Sequence, residues 1–197
     1  MRPYKYLKQL EQFSTYPLFT AVEAEKQGIP RHALAYLVKK GTLERIYPGA
    51  YRFSQYEPKV EFQWENLALV ATSIPEGVIC LISALCYYDL TDQIMRETWI
   101  AVPHESYPPK RPNTRIIRMR NVTLGKIELV LGEHKVHIFD RERSVVDAFR
   151  YLNKEIAIKA MQRYFQSTTY RPDPKKLGAY AKALRVNITP YILSNTT

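Results

Sequence analysis

The chain has 197 residues, 46% of them hydrophobic and 24% charged, which is enough for one sizeable core or two modest ones and too apolar for a disordered segment. Twenty-nine Lys and Arg against 19 Asp and Glu leave a formal charge of +10, a balance that attracts polyanions or anionic surfaces. No apolar run reaches the roughly 18 residues of a membrane span, and the start Met1-Arg2-Pro3-Tyr4-Lys5 lacks the apolar stretch of a signal peptide, so a cytoplasmic protein without a membrane partner is expected. Cys80 and Cys86 lack the closely spaced ligands of a zinc site and read as reduced core thiols.

Tyr6, Leu7, Leu10 and Phe13 recur at helical spacing and predict a first helix over Tyr4 to Phe13. Thr20 is a good N-cap for a second helix, with Glu23 and Glu25 in its early turns and Gly28 as its stop. Ile29-Pro30 opens a third helix that buries Ala33, Leu34, Leu37 and Val38 and ends at Gly41. Its other face carries Arg31, His32, Ala35, Tyr36 and Lys39, with Lys40 at its end, a set of basic and hydrogen-bonding groups suited to a major groove. Thr42 to Tyr47 alternates, Pro48-Gly49 makes a turn, and Ala50 to Phe53 alternates again, which predicts a two-stranded wing. Arg45 and Arg52 are the candidate phosphate contacts of that wing, with Tyr47 near its tip. Two capped helices, a tight link and a hairpin in a basic chain read as a winged helix-turn-helix module over residues 1–56 that binds double-stranded DNA.

Residues 54–59 read as a linker, and 60–197 as a second, α+β domain. Its predicted elements are helices over Phe62–Thr72 and Val78–Tyr88, then strands over Thr98–Val102, Thr114–Met119, Lys126–Leu131 and Lys135–Phe139 in a small mixed sheet. Helices follow over Arg141–Tyr151, Glu155–Phe165, Asp173–Arg185 and Thr189–Ser194. The fold class is therefore α+β, with a small sheet flanked by helices behind the winged helix. Between Pro103 and Lys126, Lys110, Arg111, Arg115, Arg118 and Arg120 face only one acid, Glu105. They read either as a second polyanion contact or as a charged strand edge that discourages aggregation.

Catalytic signals are absent: no phosphate-binding loop, dinucleotide fingerprint or nucleophile elbow occurs, and no cofactor is expected. His134 and His137 are an odd number apart, which points them to opposite faces of one strand, so they cannot easily share a metal. The acids around Asp140 are explained by an N-cap at Asp140 and surface pairing of Arg141, Glu142 and Arg143 in a first turn. A non-enzyme is expected; the alternative is a metal-dependent nucleic-acid-processing enzyme with a winged-helix targeting domain, in which Asp140 would serve the metal.

Three ordered strings resemble the AbiEi-type antitoxins of bacterial type IV toxin-antitoxin systems. They are Lys40-Gly41-Thr42-Leu43-Glu44-Arg45-Ile46-Tyr47-Pro48-Gly49-Ala50-Tyr51, Ser83-Ala84-Leu85 with the later Trp99-Ile100-Ala101-Val102-Pro103, and Phe139-Asp140-Arg141-Glu142-Arg143-Ser144-Val145-Val146-Asp147-Ala148-Phe149-Arg150. The helix of Asp173 to Val186 is similar to a fourth segment of that family. Ser144 stands where threonine is commoner, and Tyr88-Asp89 where a His-Gly pair is common. The resemblance implies a repressor of its own operon, acting at inverted repeats, whose remaining chain neutralises a nucleotidyltransferase-like toxin encoded beside it. It also implies antagonism without a stable antitoxin–toxin complex, so direct toxin binding does not follow from it.

Overall fold

The computed structural model describes residues 6–196, and its contacts divide the chain into two compact units. Tyr4 and Lys5, with which the first predicted helix begins, lie outside the described residues. The first unit comprises residues up to Pro75 together with Val130–Lys135; the second comprises Glu76–Leu129 and the chain from Val136 onward.

In the first unit the opening helix is split into α1 (Leu7–Leu10) and a 3-10 turn over Glu11–Phe13. Leu10 and Phe13 still point into the core, so the apolar stripe does its work in a tighter backbone. β1 (Phe19–Thr20) leads directly into α2 (Ala21–Lys26), and α3 (Arg31–Lys39) is followed by β2 (Leu43–Tyr47) and β3 (Ala50–Phe53). The three strands form an antiparallel sheet in the order β1-β3-β2, so the wing gains a third strand that two residues before the second helix supply. Leu34, Ile29, Phe19 and Leu43 are among the side chains that close this core, with Phe13 stacked on Phe19 at 4.7 Å.

α4 (Phe62–Thr72) belongs to this unit, so the compact part runs past residues 54–59 to Pro75. Residues 130–135 also join it: Glu133 accepts hydrogen bonds from Tyr56 Oη and, at 2.7 Å, from Lys59 Nζ. His134 is buried beside Thr72, with Nδ1 2.7 Å from Oγ1, and burial pushes its imidazole down to about 4. The folded state therefore takes up a proton less readily than the unfolded chain, whose histidine titrates near 6.5. His134 contributes stability that is fully present above pH ~6.5 and is lost as pH falls toward and through about 4. Urea midpoints measured over that window should fall more steeply for the native protein than for His134→Gln; parallel profiles would contradict this.

A five-stranded mixed sheet runs in the order β6-β5-β4-β8-β7, with β4 (Val78–Ile79), β5 (Thr98–Pro103), β6 (Thr114–Met119), β7 (Lys126–Leu131) and β8 (His134–Phe139); it belongs to the second unit apart from the residues of Val130–Lys135 at the ends of β7 and β8. β4 pairs antiparallel with β5 and parallel with β8, while β5 and β6 run parallel. The predicted helix over Val78–Tyr88 is corrected here. Its first two residues are the central strand, Cys80 is extended, and α5 covers only Leu81–Tyr87. A short apolar run has no period that separates a buried strand from a buried helix, and the partners that decide it lie 21 and 59 positions from Ile79, at Ile100 and Ile138. The change of direction is tight enough that Leu81, fully buried, holds a φ of 47°.

α6 (Arg141–Tyr151), α7 (Lys154–Phe165), α8 (Pro174–Ala183) and α9 (Thr189–Thr196) follow the sheet. Asp140, Asn153 and Asp173 cap the first three, each side chain accepting a backbone N–H three residues on. Val145, Ala148, Ala157, Met161 and Leu177 close the helical core. Both cysteines are free, Cys80 buried and Cys86 partly so. No helix among the described residues is long and apolar enough to cross a membrane.

Candidate nucleic-acid interface

The second and third helices are set by local chemistry. Thr20 Oγ1 accepts from Glu23 N at 3.2 Å while the Glu23 carboxylate accepts from Thr20 N at 2.6 Å, a complete capping box. At the far end of α2 the N–H groups of Gly28 and Ile29 bond back to Glu25 O and Ala24 O. α3 ends the same way, with Gly41 N on Val38 O and Thr42 N on Leu37 O, both at 3.0 Å. Gly41 has φ +73°, a conformation that side chains with a Cβ rarely adopt, so the chain leaves α3 straight into the wing. Gly49 O, in the wing turn, accepts from Ala21 N at 2.8 Å and ties the wing to the start of α2. Pro30 serves as the N-cap of α3 and not as a first-turn residue.

The face of α3 divides as its spacing predicts. Ala33, Leu34 and Leu37 are buried; Arg31, His32, Ala35, Tyr36, Lys39 and Lys40 are exposed. Lys40 Nζ lies 5.8 Å from the centre of the Tyr36 ring, so a cation and a flat amphipathic ring stand side by side. Arg31 Nε pairs with Glu25 at 2.8 Å, a contact across the Gly28 turn that helical spacing within one element does not foresee. Both side chains are well exposed, and such a pair contributes only ~0–1 kcal/mol, so the guanidinium can exchange this carboxylate for a phosphate or a base edge.

The wing distributes its residues differently from simple alternation. Arg45 is exposed. A bulge shifts the register so that Tyr47, and not Ile46, opposes Ala50; Tyr47 is turned inward and 8% exposed. Arg52 is held by two carboxylates, Glu44 at 3.0 Å and Glu65 at 3.5 Å, with its guanidinium 5.9 Å from the Tyr56 ring. Of the three wing residues expected to face DNA, only Arg45 presents its side chain to solvent without a carboxylate on it. The bulge and the α4 acid, which lies 13 positions from Arg52, are invisible to a local pattern.

The basic tract of the second unit does not gather on one surface. Lys110 and Arg111 precede β6, Arg115 and Arg118 lie within it, and Arg120 follows it. Arg115 and Arg118 are an odd number apart and fall on opposite faces of this edge strand. The Arg115 guanidinium sits 4.5 Å from the Trp99 ring and 3.5 Å from Glu97, whereas that of Arg118 sits 5.3 Å from the Tyr107 ring.

Around α6 the expectation of surface pairing is corrected. Arg143, Asp147 and Glu142 are buried. Arg143 Nε meets Asp147 at 2.7 Å, and its terminal nitrogens donate to Leu124 O at 2.8 Å and Asn121 O at 3.0 Å. Burial raises the Asp147 carboxyl against the opposing pull of Arg143 and Arg150. Burial also works against the charged form of Glu142, but hydrogen bonds from Lys176 and Tyr164 prevail and lower its pKa. Asp140 accepts from Arg143 N, Lys176 and Tyr180. No group of three or more His, Cys, Asp and Glu side chains among the described residues is placed to hold a metal ion.

A search among curated proteins returns no match to the chain. Residues 8–54, which hold the capped helices and the wing, match the family of transcriptional regulators described as AbiEi antitoxins, the family that the ordered motifs resemble.

Proposed function

We propose that the protein is a DNA-binding transcriptional autorepressor and antitoxin. Residues 1–56 act on double-stranded DNA at inverted repeats in its own operator, and residues 60–197 act against a cognate nucleotidyltransferase-like toxin. The observation that carries the DNA reading is the exposed face of α3, where Arg31, His32, Tyr36, Lys39 and Lys40 reach solvent from a helix whose other side is buried. The family match of residues 8–54 supports the regulatory role. Arg45 acts as a phosphate contact beside that helix; Arg52 and Tyr47 hold the wing together. Lys110, Arg111, Arg115, Arg118 and Arg120, spread along and beside the edge strand β6, act as the charged strand edge that discourages aggregation and not as one polyanion contact.

The test is a gel shift with the DNA immediately upstream of the gene against unrelated DNA of equal length, at two salt concentrations. Preferential binding whose log affinity falls with log salt by about 0.9 for each phosphate contact is expected. Equal or absent binding would overturn the reading. Within the same assay, Arg45→Ala should weaken binding to both DNAs and lower the salt slope by about 1, whereas Arg52→Ala should chiefly lower the melting temperature. A larger affinity loss for Arg52→Ala than for Arg45→Ala would reverse the assignment of the wing contacts.

A further inference from the structure

Among the described residues, one arginine of the second unit, Arg141, has no carboxylate partner. Arg141 lies with its guanidinium carbon 4.7 Å from the Tyr88 ring and 4.4 Å from the Tyr170 ring. Arg141 Nε and Tyr88 Oη are buried and make no hydrogen bond; Tyr170 Oη is likewise buried without a well-formed one, the Ser167 hydroxyl being a near neighbour. Folded proteins leave few such groups unpaired, because each has given up water without gaining a partner. The unpaired Nε of this guanidinium and the hydroxyls of the two tyrosines whose rings flank it point to a polar ligand.

These residues line a cavity of about 420 Å³, within the ~300–1,000 Å³ range of small-molecule sites. Its lining includes the aliphatic side chains of Ile127, Leu129 and Ile138 and the charged ones of Asp140, Glu142, Arg171 and Lys176. The two acids are already answered. Lys176 Nζ is 2.9 Å from each, Tyr180 donates to Asp140 at 3.0 Å, and Tyr164 donates to Glu142 at 2.7 Å. Arg141 and Arg171 are left as the cations of the lining with no ion pair among the described residues. Burial raises the Tyr88 and Tyr170 hydroxyls, so both remain protonated donors at neutral pH.

We propose that this cavity binds a small organic anion. Its phosphate or carboxylate group lies against Arg141 and Arg171, and its flat or apolar body lies against Ile127, Leu129 and Ile138. The two tyrosine rings hold the guanidinium flat in advance, so little side-chain entropy is lost when the anion arrives. The proposal is independent of the DNA reading.

The experiment is calorimetric titration of the full chain with phenyl phosphate, benzoate and inorganic phosphate. Phenyl phosphate or benzoate should saturate the protein at sub-millimolar to millimolar concentration, with inorganic phosphate at least about threefold weaker because it lacks the apolar body; which aromatic probe binds tighter identifies the anionic group. Tyr88→Phe and Tyr170→Phe, which remove one oxygen each and keep the rings, should weaken binding about three- to tenfold, and Arg141→Gln should abolish it. Circular dichroism of the variants separates these losses from unfolding. No saturable binding of either aromatic probe up to about 10 mM, or binding that the Phe variants leave unchanged, would overturn the proposal.

Discussion

Arg143→Ala should destabilise the protein by about 3–5 kcal/mol, the range seen when one partner of a buried ion pair is removed. Against a total stability of ~5–15 kcal/mol this is a large fraction. The guanidinium is 0% exposed and satisfies three acceptors at once: the Asp147 carboxylate, Leu124 O and Asn121 O. It also lies 4.4 Å from the Phe139 ring. Truncation would leave Asp147 buried with Arg150 alone, at 3.0 Å, and would strip two loop carbonyls of their donors. Gly125 approaches so closely that an added Cβ would lie 2.7 Å from Arg143 Cβ, so the surrounding chain is shaped to this side chain. Arg143→Lys should recover little, because an ammonium cannot serve acceptors in the fork geometry of a guanidinium. Arg143→Met combined with Asp147→Leu should recover only part of the loss, since an apolar pair leaves no charge behind but still leaves Leu124 O and Asn121 O without their donors. Urea unfolding followed by circular dichroism measures all three; a loss below about 1 kcal/mol for Arg143→Ala would show that the network carries little stability.

Replacing Tyr36 or Arg31 by Ala should weaken binding to the upstream DNA by about 10- to 100-fold, the ~1–3 kcal/mol of a base-directed contact, while binding to random DNA falls much less. Arg45→Ala should weaken both about equally. The side chains of α3 that would make these contacts do not hold the module together: Arg31 is exposed and its one ion pair is with the exposed Glu25, while Ala33, Leu34 and Leu37 carry the packing. The variants should therefore melt within a few degrees of the native protein, and the affinity loss can be read as lost contact. Competition gel shifts with specific and random DNA make the measurement. Equal losses for all three variants on both DNAs would refute α3 as the helix that reads bases.

The elements with strong local signals were legible in the amino-acid sequence. The Thr20 capping box, the glycines that end α2 and α3, and the spacing of Ala33, Leu34 and Leu37 determine the helix-turn-helix from contacts within five residues, so local chemistry suffices. The exposed face of α3 follows from that spacing alone, because what is not buried at a 3.6-residue period is exposed. The α+β class was legible for the same reason, as was the N-cap at Asp140.

What depended on distant partners was decided by tertiary structure. Val78–Ile79 is a strand because β5 and β8 flank it, and no period in a short apolar run could say so. Arg52 turns toward Glu65, Tyr47 is drawn inward by a bulge, and Arg143 is buried although its neighbours in sequence are charged. For the two arginines a charge finds a partner supplied by another segment, Glu65 for Arg52 and the carbonyls of Leu124 and Asn121 for Arg143, and the free energy of that pairing overrides the exposure that composition favours. The cavity beside Arg141 belongs to this second kind: its tyrosines stand 53 positions before and 29 after the arginine, and only folding brings them to one guanidinium.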